Sequence, residues 1–134
     1  MTASWKWRFL GFESASEGRP VQRWFNGLPD NDKDEIIDLL VYLQNVTDGL
    51  WRRPEFDPLV GAGGISEIVV PDIRRFEGVA YYRIYGYRGP REHEYTLLHG
   101  TNKDVKNDKL GKRTAKHRLD QIERGEAGVH KFDF

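Results

Sequence analysis

The sequence predicts an α+β domain, and three observations carry that prediction. Trp5, Trp7 and Phe9 alternate with Lys6 and Arg8, the period-two pattern of a strand with one buried face. Ile36, Leu39, Leu40, Leu43 and Val46 recur at helical spacing, so one stripe faces a core while Asp34, Glu35 and Asp38 face out. The runs GVAYYRIYGY and HEYTLLHG flank the turn Arg88-Gly89-Pro90-Arg91, the signature of a β-hairpin.

Between and beyond these anchors the remaining elements follow in order. Gly18 and Pro20 open a short helical piece, VQRWFNGL, closed by Gly27 and Pro29. Asp30, Asn31 or Asp32 is expected to cap the next helix, whose early carboxylates suit the positive end of its dipole, and Thr47, Asp48 and Gly49 mark its end. Residues 50–64, with Pro54, Pro58 and the run GAGG, read as a loop into a strand at Ile65–Val70. GAGG lacks the following Lys-Ser/Thr and the preceding apolar strand that a phosphate loop requires, so it reads as a turn. A last helix is expected over Asn107–Arg124, with Leu110, Ala115, Leu119 and Ile122 as a thin apolar stripe and Gly125 as its stop. The tail AGVHKFDF is free to stay mobile or to dock through Phe132 and Phe134. The order is β, α, α, β, β, β, α.

The chain has 134 residues without a long apolar run, which is enough for one domain, 1–134, with one modest core. Its 38% hydrophobic and 31% charged residues are those of a globular protein. With no cysteine, disulfides, thiolate nucleophiles and cysteine-type zinc sites are excluded, in keeping with a reducing compartment. The opening MTASWKWRFLGF lacks the apolar block of a signal peptide, and nothing reads as a membrane span, so a cytoplasmic protein is expected.

The net charge of +0 conceals a polarity. Residues 1–72 hold 7 Lys/Arg against 12 Asp/Glu, a net −5, and residues 73–134 hold 14 against 9, a net +5. Between Lys103 and Arg118 lie seven basic residues, with Asp104 and Asp108 the acidic ones, a patch able to attract a polyanion or to serve simply as a solvated helix face.

Chemistry-bearing residues concentrate between Ile65 and Arg118: Glu67, Arg74, Arg75, Arg83, His93, His99 and Lys103. Arg83 lies between Tyr82 and Ile84 in an apolar-aromatic strand, where a held guanidinium could clamp a phosphate bidentately or form a salt bridge to Glu67 or Glu94. Histidine is a residue type suited to proton transfer near neutral pH, so His93 or His99 could transfer a proton or act as a structural hydrogen-bonder. Tyr81, Tyr85 and Tyr87 could stack on bases, but alternating strand tyrosines serve as core and receive no site role. The histidines at 93, 99, 117 and 130 lack paired acidic ligands, so no metal and no other cofactor is expected.

The stretch Gly78–Lys103, GVAYYRIYGY followed by a hairpin and LLHGTNK, resembles the RelE/ParE toxin superfamily in its HigB-like, phage-derived, host-inhibition branch, where a "yRi-Y" strand precedes an "LLHgF-KK" strand end. GISEI resembles that branch's "GLWELR" strand, and an Ala-Lys-His-Arg helix follows. The resemblance covers most of the chain in element order and about 40 residues at motif level. Departures are Val69 where the pattern has arginine, Thr101 where it has an aromatic, Asn102-Lys103 where it has Lys-Lys, and no tyrosine near the C-terminus.

The resemblance implies a RelE-like fold: a small curved, mainly antiparallel sheet of about four strands with two N-terminal helices and a C-terminal helix packed on it. It implies the toxin of a type II toxin–antitoxin system, an endoribonuclease (mRNA interferase) in which an RNA 2′-hydroxyl attacks the adjacent phosphate without a metal. Arg83, Arg74 or Arg75, and Lys103 would then neutralise the phosphorane, and His99, His93 or Glu67 would move the proton. Lys106, Lys109, Lys112 and Arg113 would bind the RNA backbone. The implied partners are a small helix-turn-helix DNA-binding antitoxin and mRNA, on the ribosome in the family's manner. A ParE-like gyrase inhibitor that cuts no RNA, or a catalytically decayed phage-derived relative that binds RNA or protein, shares the same fold.

Overall fold

Four consecutive residues of the first strand, β1 (Arg8–Glu13), are buried, which a strand with one wet face cannot achieve. In the computed structural model, which describes residues 6–46, 51, 56–59, 61–71, 81–101 and 108–134, β1 lies inside a sheet and is covered on both sides. Trp7 and Phe9 enter one core and Phe12 the other, so the expected half-exposed strand is corrected to a doubly buried one beginning at Arg8.

The first helix, α1 (Pro20–Asn26), starts at a proline whose fixed φ suits a first helical turn. The second, α2 (Asp30–Gln44), differs from expectation at its start. Pro29 occupies the cap position and makes no side-chain cap, while Asp30 and Asp32 lie in the first turn, where the helix dipole favours them. Asp32 is drawn inward because the buried Tyr82 hydroxyl donates to it. Ile36, Leu40 and Leu43 form the buried stripe as the spacing predicted.

The other strands are β2 (Phe56–Asp57), β3 (Ser66–Pro71), β4 (Tyr81–Arg88), β5 (Glu94–Thr101) and β6 (Gly128–Lys131), with helix α3 (Lys109–Glu123) before the last. The sheet runs β2-β3-β4-β5-β1-β6, and every pairing is antiparallel except the parallel β1–β5 pair. The chain is thus α+β with three helices and a six-stranded mixed sheet, not the expected four strands. The additional strands are two and four residues long, too short to show periodicity. The tail docks rather than staying mobile: β6 pairs with β1, Phe132 is buried and Phe134 packs on the same core.

Two cores result. The larger, under α1 and α2, joins Trp7, Phe9, Phe25, Leu40, Trp51 and Tyr95 with their neighbours. The smaller, under α3, consists of Phe12, Ile65, Tyr85, Leu98, Ala115 and Leu119. Leu110, expected on the α3 stripe, is 61% exposed, and Gly111 is buried in its place. Gly125, with φ 75, ends α3 as predicted. Among the described residues no helix is long and apolar enough to cross a membrane.

Candidate active site

Strand register decides which side chains meet. Glu67 on β3 is paired with Tyr85 on β4, and Tyr85 with His99 on β5, forming one row across three strands. Val69, Arg83 and Thr101 form the next row. Residues directly opposite in adjacent strands share a face. Because Tyr85 belongs to the core under α3, both rows face that helix.

His99 reaches this face through an irregularity. Tyr85 pairs with His99 but Gly86 pairs with Leu97, so Leu98 is an extra residue, a β-bulge. Strict alternation from Leu97, which lies in the α1/α2 core, would have put residue 99 on that same side. The bulge instead gives Leu98 and His99 to the α3 face, and the imidazole lies parallel to the Tyr85 ring, with centroids 6.3 Å apart and planes 10° off parallel. Gly100 then falls on the α1 side, where the Trp24 ring occupies the space a Cβ would need.

The Glu67 side chain is 7% exposed and that of Arg83 13%, with Arg83 Nε 3.7 Å from Glu67 Oε1. Burial pushes the Glu67 carboxyl above its usual range; the charges of Arg83 and Lys112 oppose the shift, and those of Asp57 and Asp108 add to it. Burial also pushes the Tyr85 phenol up, with the Glu67 charge adding and a hydrogen bond from Arg83 opposing, so Tyr85 keeps its proton and donates it to Asp108 Oδ2 at 3.1 Å. Asp108 caps α3 by accepting from the Gly111 backbone N–H at 3.0 Å. At Gly111 a Cβ would overlap the Asp108 carboxylate and come within 2.9 Å of the Tyr85 ring, so glycine is what lets the helix start close to the sheet.

Of the residues expected to act together, Glu67, Arg83 and His99 share one face, and Lys112 approaches Glu67 from α3. The ion-pair alternative for Arg83 is met by Glu67, since Glu94 instead pairs with Arg8 at 2.8 Å. His93 is not part of the cluster: it lies at the opposite end of β5, with its ring edge-on to Trp7 at 5.7 Å. Lys109 and Arg113 are exposed on α3. Arg74, Arg75, Lys103 and Lys106 lie outside the described residues, as do residues 78–80 of the expected strand and the α2 stop at 47–49. Among the described residues no group of three or more His, Asp or Glu is arranged to hold a metal ion.

Three members of the cluster carried no site role in the sequence reading: Tyr85, Asp108 and Arg118. Asp108 fell inside the helix expected over 107–124, whereas α3 begins at Lys109 with Asp108 as its cap. Arg118 had a subtler signal: it stands three residues after Ala115 and beside Leu119, a charge on the apolar stripe, and such a charge must find a partner. It finds several, since Nη1 donates to Leu98 O at 2.7 Å, Nη2 reaches Glu17 Oε2 at 2.5 Å, and the guanidinium lies 5.4 Å over the Phe12 ring.

The arrangement supplies a buried carboxylate of raised proton affinity, a guanidinium in the next row, an imidazole in the carboxylate's own row beyond Tyr85, and exposed cations on the adjoining helix. Those are the parts needed to bind an anion and move a proton. In comparisons with known proteins, no family model matches the chain, and no curated protein is significantly similar to it.

Proposed function

We propose that the α3 face of the sheet cleaves RNA and that the chain is the toxin of a type II toxin–antitoxin pair, a metal-independent endoribonuclease. The observation that carries this reading is the common face of Glu67, Arg83 and His99, beside the exposed Lys109 and Arg113 of α3. In the reaction, the RNA 2′-hydroxyl attacks the adjacent phosphate in line and the bond from phosphorus to the 5′-oxygen breaks, the departing oxygen taking a proton from the solvent, so that a 2′,3′-cyclic phosphate and a 5′-hydroxyl end are left. Arg83 neutralises the charge that develops on the non-bridging oxygens, and Glu67 or His99 takes the 2′-hydroxyl proton. Lys103, Lys106, Arg74 and Arg75 join the phosphate contacts in this reading, and the helix cations track the RNA backbone. The protein acts in the cytoplasm on translated mRNA and is held silent by a small DNA-binding antitoxin.

The Arg83–Glu67 pair also favours a second reading. A guanidinium already engaged by a buried carboxylate is a structural ion pair first, which suits a ParE-like gyrase inhibitor or a decayed, phage-derived binding relative. Induced expression without antitoxin, with primer-extension mapping of transcripts, separates the readings. The expected result is growth arrest with cleaved messages, both relieved by Arg83→Ala. Arrest with intact messages points to gyrase, and no arrest to a non-catalytic relative. In RNA binding, Arg113→Ala should reduce the salt dependence, the slope of log K against log [salt] falling by about 0.7 if this residue contacts one phosphate of a single strand.

A further inference from the structure

Arg118 is an α3 residue whose side chain hydrogen-bonds the bulge. Its side chain is 10% exposed, and its position is fixed from three sides by the Leu98 carbonyl, the Glu17 carboxylate and the Phe12 ring. A bulge leaves a residue outside the regular ladder, and here the extra residue's carbonyl accepts from Arg118 Nη1 at 2.7 Å. The same Nη1 is 3.5 Å from Nδ1 of His99, the residue the bulge turns to the α3 side.

A guanidinium carries only donors. The ring nitrogen that faces it must therefore present a lone pair, which leaves the single proton of a neutral imidazole on the other nitrogen. The positive charge of Arg118 also raises the cost of the imidazolium. Of its described neighbours, Tyr85 beneath the ring is a protonated phenol that donates to Asp108, and Glu17 is paired with Arg118.

We infer that Arg118 is a positioning residue for His99, fixing the bulge that aims the ring and holding it as the neutral tautomer protonated at Nε2. His99 then serves as a hydrogen-bond donor to an oxygen of the ligand, not as a proton acceptor. For its place in a reaction this rests on the RNA-cleaving reading, which left the acceptor open between Glu67 and His99. The tautomer itself does not depend on that reading.

The test is long-range 1H–15N correlation on 15N-labelled full-length protein, with the His99 signals assigned by their loss in His99→Gln. The expected result is a ring protonated at Nε2 at pH 7. Its titration midpoint should rise by about one pH unit in Arg118→Gln, as removal of an adjacent cation demands. Glu17→Gln, which unmasks the Arg118 charge and keeps the side chain, should lower the midpoint. That variant decides the matter if Arg118→Gln does not fold. A ring protonated at Nδ1 in the unaltered protein, or a midpoint that moves in neither variant, overturns the inference. RNA cleavage assayed on the same samples keeps the two proposals apart: intact RNA with the Nε2–H tautomer removes the nuclease reading and leaves the coupling of Arg118 to His99 standing.

Discussion

Under α1 and α2 the sheet presents Phe9, Ile68, Ile84, Tyr95 and Leu97 to Trp51, Phe25 and Leu40, whereas under α3 it presents Glu67, Arg83, Tyr85 and His99 beside a much smaller apolar cluster. Two buried hydroxyls on the first side are matched, Tyr95 with Ser66 at 2.7 Å and Tyr82 with Asp32. On the second side, among the described residues, Nε of Arg83 and Nε of Arg118 are buried without a hydrogen-bond partner. An unmatched buried donor costs stability and is kept where it has another use. One face of the sheet holds the molecule together, and the other is held in place by it.

The sharpest way to break that contrast is to cut into each face and compare. Phe9→Ala should cost about 4 kcal/mol in urea unfolding, the price of an aromatic-sized hole in a packed core. A loss below about 1 kcal/mol would mean that the larger cluster is not the main source of stability. On the α3 face, Arg83→Met should cost about 3 kcal/mol at pH 7, because it leaves the Glu67 carboxylate buried without its cation. The double variant Arg83→Met/Glu67→Leu should recover most of the loss, and failure to do so would show that the pair itself, not its imbalance, is what stabilises. Gly111→Ala should cost about 2 kcal/mol by forcing α3 off the Tyr85 ring; its readout is near-ultraviolet circular dichroism together with urea unfolding.

The smallest effects are in pH dependence. Burial holds the Glu67 carboxyl above 4.5, so the folded chain binds that proton more tightly than the unfolded one. This contribution is complete below pH 4.5 and is lost as pH rises through the folded-state value. Unfolding measured from pH 4 upward should therefore show Glu67→Gln gaining on the unaltered protein as pH rises, and parallel curves would remove the buried-carboxylate description. His130, on the β6 edge, has the opposite sign. Burial holds it below 6.5, so its contribution is present above that pH and lost as pH falls through the folded value; His130→Gln should flatten the acid limb.

The parts of the fold that were legible have strong periodicity or strong punctuation: the α2 stripe, the hairpin around Gly89-Pro90 and the Gly125 stop. What escaped depends on contacts distant in sequence. The strand expected from the alternation begins only at Arg8, and burial of both its faces comes from the core under α1 and α2 and the core under α3, which no local window contains. The α3 stripe was read through Leu110 because leucine is apolar and glycine is not. The helix phase is set instead by the Asp108 cap and by Gly111 lying against Tyr85. Within the site, Glu67 and Arg83 were legible as a pair on neighbouring strands. The facing of His99 was not, because one extra residue in β5 reverses it and leaves no mark in composition or spacing.

The interior position of β1, between β5 and the edge strand β6, has a consequence for how the chain is made. Its parallel neighbour begins 86 residues later, with Arg8 opposite Glu94, and its other neighbour is supplied by residues 128–131. During synthesis the segment Phe9–Phe12 therefore has no strand on either edge until residues 94–101 have emerged, and keeps one edge open until residues 128–131 follow. Pairings so distant close slowly, and an unpaired apolar strand invites association with other chains in the meantime. A ribosome stalled before residue 128 would release a chain whose interior strand is still an edge, a product for chaperones and proteases rather than a partly active protein.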